Sequence, residues 1–469
     1  MKKLAFLVIL ALVTALPVYA QLGETDNSSF TIQNLGAAPA SISVTFYAEA
    51  DLGGTPYIPS PLRPGVSNPF TLAPGARQEI YMPAVSGLPD GRYSVVIEST
   101  EPIAVIANLI GEGATFYNGS YSGFSAGATT IYFPATHYQF YGWNSLISVQ
   151  NTTASSITAN LYIYNEAGTQ VATDSKTIPA FASYHWDLET IGAGLRLPTR
   201  LNGSAKVVCT GACVGTDNQT AAGGYTQSYN AFLAGDTTLY APALYNDYYH
   251  WISSLKVQNI GDGPTDIDVI YYVQGGGVCD PPAETIQPGQ SLYHYLPAKW
   301  ETWGCTSPTR NKVISAVITS SAEDIAGIAN AAGKPGLPTA GQAQTYGVFA
   351  SSEGAAKVGL PAIMNNYYKW ITSFTCQNLG STDANVTYSY SGVGCPTDPM
   401  YPGCQYTLAP GQAREVYQPA DLDATTGLFA VTVTATGAPI ACIANETLPV
   451  YNGPPGPGDW SMSYNGFGQ

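Results

Sequence analysis

Gly123-Phe124-Ser125-Ala126-Gly127 has the G-x-S-x-G spacing of a nucleophile elbow, in which a serine on a sharp strand-to-helix turn attacks a carbonyl with histidine as its base. That geometry requires a helix to follow, and here the pentapeptide lies between β-type runs. Its counterparts read AFLAG at 231–235 and VFASSEG at 348–354, so Ser125 holds a variable place in a recurring signature and no nucleophile is expected. The four histidines, His137, His185, His250 and His294, have no metal-ligand spacing and are expected at surfaces or interfaces. Asp262, Asp266 and Asp268, in GDGPTDIDV, form the one acidic loop where calcium is a candidate; the alternative is an ordinary turn. No other cofactor is indicated, and the chain is read as non-catalytic.

Eight cysteines are present, none before Cys209. The expected disulfides are Cys209–Cys213, Cys279–Cys305, Cys376–Cys442 and Cys395–Cys404. A zinc site is the rival reading of Cys209-x-x-x-Cys213, but no second ligand pair of zinc spacing completes it.

Aromatic residues gather in three related phrases: FPATHYQFYGW at 133–143, APALYNDYYHW at 241–251 and LPAIMNNYYKW at 360–370. Two chemistries suit them, sugar stacking and packing at joints. Side chains alternate faces along a strand, so Trp143 shares its face with Ile147 and Val149. By the same count Trp251 goes with Leu255 and Val257, and Trp370 with Phe374 and Cys376, all toward a core. The tyrosines Tyr138, Tyr141, Tyr248, Tyr249, Tyr367 and Tyr368 are freer to be exposed. A rigid ring with a polar tip serves a glycan face or a wet inter-domain seam equally well.

These phrases belong to a longer repeat. Gln-Asn closes a strand-like run at 33–34, 150–151, 258–259 and 377–378. A Pro turn then opens an alternating strand in LAPGARQEIYMP (72–83), IQPGQSLYHYLP (286–297) and LAPGQAREVYQP (408–419), with only IPAFASYHW (178–186) in the second unit. Runs such as YSVVIESTEPIAVIAN (93–108) read as paired strands joined by a hairpin turn, with Cys209 and Cys213 at the corresponding turn. Each unit closes on a Tyr/Phe signature: YSGF, YNAF, YGVF and YNGF. Apolar residues recur with period two and no sustained helical period is found.

Six or seven short strands in units of about 110 residues suit an antiparallel sandwich. In size, rhythm and repetition, though in no named family's motifs, the chain resembles the tandem Ig-like modules secreted or displayed by bacteria. The expected organisation is all-β: a signal peptide at 1–20, then four β-sandwich repeats at 21–125, 126–233, 234–352 and 353–469. Lys2 and Lys3, the apolar run Leu4–Leu16 and the small residues before Gln21 carry the signal-peptide reading, which places the mature chain outside the cell. No later apolar run is long enough for a membrane span.

Charged residues are only 10% and the net charge is −15, with no basic cluster, which excludes nucleic acid as a partner. The expected function is a secreted or cell-surface structural or adhesive repeat protein, with two readings open for its sheet edge: docking on another copy, head to tail or by strand addition, or a blunted edge in a plain monomer. The alternative is a carbohydrate-binding array against surface polysaccharide. The docking reading comes from a count: four cores but three connector phrases, so one end repeat is short of a strand.

Overall fold

The computed structural model describes residues 7–11 and 25–468, with breaks at 113–116, 222–224, 306–308, 335–336, 338, 396–402, 423–424, 449–458 and 460. It is all-β, built of antiparallel sheets, and among the described residues helix is confined to single turns such as Leu188–Ile191, Leu296–Lys299 and Gln418–Asp421. Among the described residues no helix is long and apolar enough to cross a membrane.

The third repeat shows the plan. One sheet sets Thr238–Leu244 beside Ile314–Ser320, then Thr265–Val273. The other sets Ser291–Tyr295 beside Trp251–Asn259, then Ile325–Gly333 and Ala343–Gly347. Thr265–Val273 alternates buried with exposed or half-buried positions, as a strand with one wet face must. Trp251–Asn259 is buried almost throughout, because its second face is covered by another repeat. There Lys256 Nζ donates to Asn202 Oδ1 and the Gly203 carbonyl of the second repeat, each at 2.7 Å. Among the described residues the buried apolar side chains form four clusters, each drawn almost wholly from one repeat.

The repeated asparagine organises its turn. Asn34, Asn151, Asn259 and Asn378 are fully buried, and each amide donates to a carbonyl four residues on and to one at the Pro turn. Each side-chain oxygen accepts the backbone N–H two residues ahead. Such an Asx turn satisfies buried backbone groups that the sheet leaves over.

The hairpin expected in YSVVIESTEPIAVIAN is not one. Tyr93–Ser99 pairs with Ala40–Ala48, whereas Ile103–Glu112 lies in the other sheet beside Thr25–Asn34. The intervening residues are a corner at which the chain crosses between sheets. In the second repeat the crossing is one unbroken strand, Leu201–Ala221, and Cys209–Cys213 brackets its corner. Period-two alternation continues through a corner, so the pattern alone reads the same either way.

The connector strands pair with the repeats that follow them. Ala128–Tyr138 lies beside Leu201–Ala221, Thr238–Leu244 beside Ile314–Ser320, and Lys357–Tyr367 beside Gly427–Thr436. The first repeat has its corresponding place filled by Leu7–Ala11, antiparallel to Tyr93–Ser99 with Ile9 opposite Ile97.

Repeats meet through a recurring bond. The hydroxyls of Ser94, Ser204 and Ser315 donate to the carbonyls of Phe181 (2.7 Å), Gly289 (3.0 Å) and Gly411 (2.7 Å) in the next repeat. All three acceptors are turn residues with positive φ. The fourth seam returns to the start: Arg77 Nη2 donates to the Leu428 carbonyl at 3.0 Å. The four closing strands, Tyr117–Ser122, Tyr225–Asn230, Ala343–Gly347 and Ser461–Asn465, pack on one another about a common axis. Asn230 Nδ2 donates to the Ser122 carbonyl, Ser122 Oγ to the Asn465 carbonyl and Asn465 Nδ2 to the Gly347 carbonyl, so the array closes into a ring.

Candidate functional site

Each connector strand turns back through a two-residue hairpin loop. The loop residues are Tyr141-Gly142, Tyr249-His250 and Tyr368-Lys369, and all six have positive φ. Two positive φ values in succession define a type I′ turn, whose twist matches the strands but whose usual residues are Asn and Gly. A non-glycine residue held there costs about 1–2 kcal/mol. These turns nevertheless carry a large ring at their first position three times, and the ring is exposed: Tyr141 is 76% accessible, Tyr249 62% and Tyr368 81%.

Beneath each exposed tyrosine stands a second ring, edge to face: Phe140 at 4.9 Å from Tyr141, Tyr248 at 4.9 Å from Tyr249 and Tyr367 at 4.7 Å from Tyr368. Two of the inner rings, Tyr248 and Tyr367, face seams. Tyr248 hydroxyl hydrogen-bonds Glu415 Oε2 of the fourth repeat, where burial raises the Glu415 carboxyl above its usual range. Tyr367 lies beside Glu79 and Arg77 of the first repeat. Polar groups flank the outer rings. The Arg200 guanidinium sits 3.6 Å from the Tyr141 centroid, Asn311 Oδ1 accepts the Tyr249 N–H at 3.1 Å, and Lys334 pairs with Asp247 at 3.5 Å.

The three tryptophans are half-buried. Trp251 packs against the core of the third repeat, while Trp143 tilts against Tyr225. Tyr138, at the start of the first connector's turn, packs against the core of the second repeat. The sequence therefore located the aromatic phrase but not its division into an inner ring and an exposed ring. The positive φ values at the tyrosines, which create that division, leave no mark in a phrase lacking Asn-Gly.

Where the four closing signatures converge lies a cavity of about 810 Å³, lined by Tyr121, Tyr229, Tyr346 and Tyr464 with their flanking residues. Its described lining holds one carboxylate, Glu353, which accepts the Ala350 N–H at 2.7 Å. Ser125 is exposed at this cavity on a non-helical segment, and no histidine is among the lining residues.

Three of the four histidines are buried rather than superficial. His137 bonds Asn202 at 3.1 Å near the seam with Lys256, and burial with that neighbouring charge drops it to about 3. His185 lies between Ser148 and Ser183. His294 stands in the third core between Tyr271 and Glu284. Polar alternate positions are buried in this fold because strands such as Trp251–Asn259 are covered on both faces, a consequence of ring closure that a single repeat's pattern does not carry. In the acidic loop, Asp266 Oδ1 accepts the Thr285 hydroxyl, and among the described residues no three His, Cys, Asp or Glu side chains stand close enough to hold a metal ion.

Four disulfides are present: Cys209–Cys213, Cys279–Cys305, Cys376–Cys442 and Cys395–Cys404. Cys376 and Cys442 stand directly opposite each other on neighbouring strands, at the place that Ile32 and Val105 hold in the first repeat.

No protein-family model matches the sequence, and no curated protein matches it. Among solved structures, a Thermotoga maritima protein, "Thermotoga maritima 1070", is similar over 25% of this chain and 95% of its own, at 15% identity and a TM-score of 0.19. An Escherichia coli alpha-2-macroglobulin in its native conformation is similar over 98% of this chain and 40% of its own, at 9% identity and a TM-score of 0.11.

Proposed function

We propose that this chain is an extracellular, non-catalytic structural or adhesive protein: four Ig-like β-sandwich domains, exported behind a cleaved signal peptide, that make contact through Tyr141, Tyr249 and Tyr368. The supporting observation is the threefold recurrence of an exposed tyrosine on a left-handed turn position that disfavours it. A ring kept against its backbone preference, and braced from below by a second ring, is a contact group rather than a packing group. Four disulfides are compatible with an oxidising, extracellular compartment. The predicted cut before Gln21 lies outside the described residues.

A carbohydrate-binding array is the second reading, favoured by the polar groups beside Tyr141 and Tyr249. Against it, the two rings of each tip stand edge to face, so each offers one ring rather than a coplanar platform. The deciding measurement compares wild type with the triple variant Tyr141→Ser, Tyr249→Ser, Tyr368→Ser on cell-envelope fractions and on a glycan array. Loss of envelope binding by tenfold or more without any glycan signal supports adhesion. A glycan signal that the variant abolishes moves the assignment to the second reading. Unchanged binding of the variant to both surfaces rejects the tips as contact groups.

A further inference from the structure

The strand that completes the first repeat comes from the segment assigned above to the signal peptide. Leu7–Ala11 runs antiparallel to Tyr93–Ser99 with Ile9 opposite Ile97 and Ala11 opposite Val95. The register matches that of the connectors: Ile131 stands opposite Val207, Leu239 opposite Ile318 and Val358 opposite Val433. In each of those repeats the strand reads apolar, any, apolar, Pro, Ala, as IYFPA, LYAPA and VGLPA. Its apolar residues and its Ala are core side chains: Ile131, Phe133 and Ala135 in the second repeat, Leu239, Ala241 and Ala243 in the third, Val358, Leu360 and Ala362 in the fourth.

The Ala is also held through its backbone. Tyr229, Tyr346 and Tyr464, the tyrosines of the closing signatures, donate to the carbonyls of Ala135, Ala243 and Ala362 and accept the N–H groups of the same residues. Tyr121 holds this place in the first repeat. The second, third and fourth repeats thus each carry a slot with two apolar sockets and a tyrosine clamp, and the slot takes a strand of defined pattern.

We propose that in the exported chain the Tyr93–Ser99 edge is an acceptor site, filled by an extended strand of a partner polypeptide with the apolar-any-apolar-Pro-Ala pattern. Removal of residues 1–20 takes away Leu7–Ala11 and exposes the backbone N–H and carbonyl groups that it paired. Strand addition restores those hydrogen bonds, and alternate side chains give specificity through the sockets. Within this chain the three strands of that pattern already occupy their own repeats. This inference rests on the export reading above, not on the tyrosine tips.

The test uses the chain from Gln21 to Gln469 and two labelled peptides, residues 129–137 and 237–245, as donor probes. Binding of both peptides is expected, with slowed hydrogen exchange at Tyr93–Ser99, and with Ile131→Asp in the first peptide weakening it at least tenfold. A full-length chain retaining residues 1–20 should not bind them. Absence of peptide binding, with Tyr93–Ser99 amides already as protected as those of Ile314–Ser320, overturns the proposal. So does a dimer that the peptides do not disperse, which would assign the edge to a second copy. Intact mass of the exported protein separates the failures: retention of residues 1–20 refutes the export reading, whereas a cleaved chain without peptide binding refutes the acceptor site alone. Peptide binding in a chain with inert tips keeps the acceptor and removes the adhesive assignment.

Discussion

The Tyr346 hydroxyl donates to the Ala243 carbonyl at 2.7 Å and accepts the Ala243 N–H at 3.0 Å, so one side chain satisfies both backbone groups of one residue. Pro242 explains why this is needed. A proline has no N–H to give the ladder, and pairing with Ile314–Ser320 skips from Ala241 to Leu244. The groups stranded at Ala243 are handed to the tyrosine.

Tyr346→Phe therefore leaves a buried donor and acceptor unpaired while keeping the ring. A loss of about 1–3 kcal/mol in unfolding free energy is expected, measured by chemical denaturation. The matched control Tyr293→Phe, on a partly exposed side chain, should change little. Equal effects from the two would show that the clamp contributes nothing.

The Cys376–Cys442 bridge closes a loop of 66 residues between strands that are already paired. Replacing both cysteines by valine should preserve the far-ultraviolet spectrum, since Ile32 and Val105 occupy the same places in the first repeat. In the chain-entropy account the bridge is worth about 4 kcal/mol, so the thermal midpoint should fall. A midpoint that does not move would place the bridge's role outside stability.

Glu446 gives the chain a pH dependence. It is fully buried near Glu79, and neither of its carboxyl oxygens has a hydrogen-bond partner among the described residues. Burial first, and that neighbouring carboxylate second, raise it to about 8. The folded chain holds this proton where the unfolded chain has released it, so stability is fully present below about 4.5 and falls as pH rises to about 8. Asp217, raised by burial to about 7, works in the same direction, whereas Lys256, lowered by burial to about 7, loses stability as pH falls through that value. Glu446→Gln should flatten the decline between pH 5 and 8, by up to about 1.4 kcal/mol per pH unit where the slope is steepest. A wild-type profile without decline in that window would contradict the burial of this carboxyl.

Tyr368→Gly separates packing from contact. Relieving the left-handed strain should stabilise the fold or leave it within about 1 kcal/mol, while surface binding falls. Destabilisation well beyond that range would identify Tyr368 as a structural ring.

Much of the fold was legible because it is written in strand-scale patterns. Gln377-Asn378 and its counterparts mark a strand end, and counting from them set Cys376 in a core-facing position. The corner at Ser99–Ile103 was not legible, since alternation is the same for a hairpin and for a crossing between sheets. The burial of His137, Gln258 and Lys256 was hidden for a different reason. Their second face is covered by other repeats, and hydrophobic pattern records only the face turned to a strand's own core. At the tips, Tyr249 and His250 give no composition signal for a turn that Asn-Gly would have announced.

The Arg77 guanidinium finds its carbonyl at Leu428, 351 residues further along the chain. A polypeptide made from its amino end presents Arg77 long before Leu428 arrives. The first repeat therefore waits, with its outer flank wet, until nearly the whole chain has been made. Linear solenoids can zip up neighbour by neighbour as they emerge, but a closed circle has a last joint that no early segment can make. Any factor that shields unfinished chains during synthesis would act longest on the part that is made first.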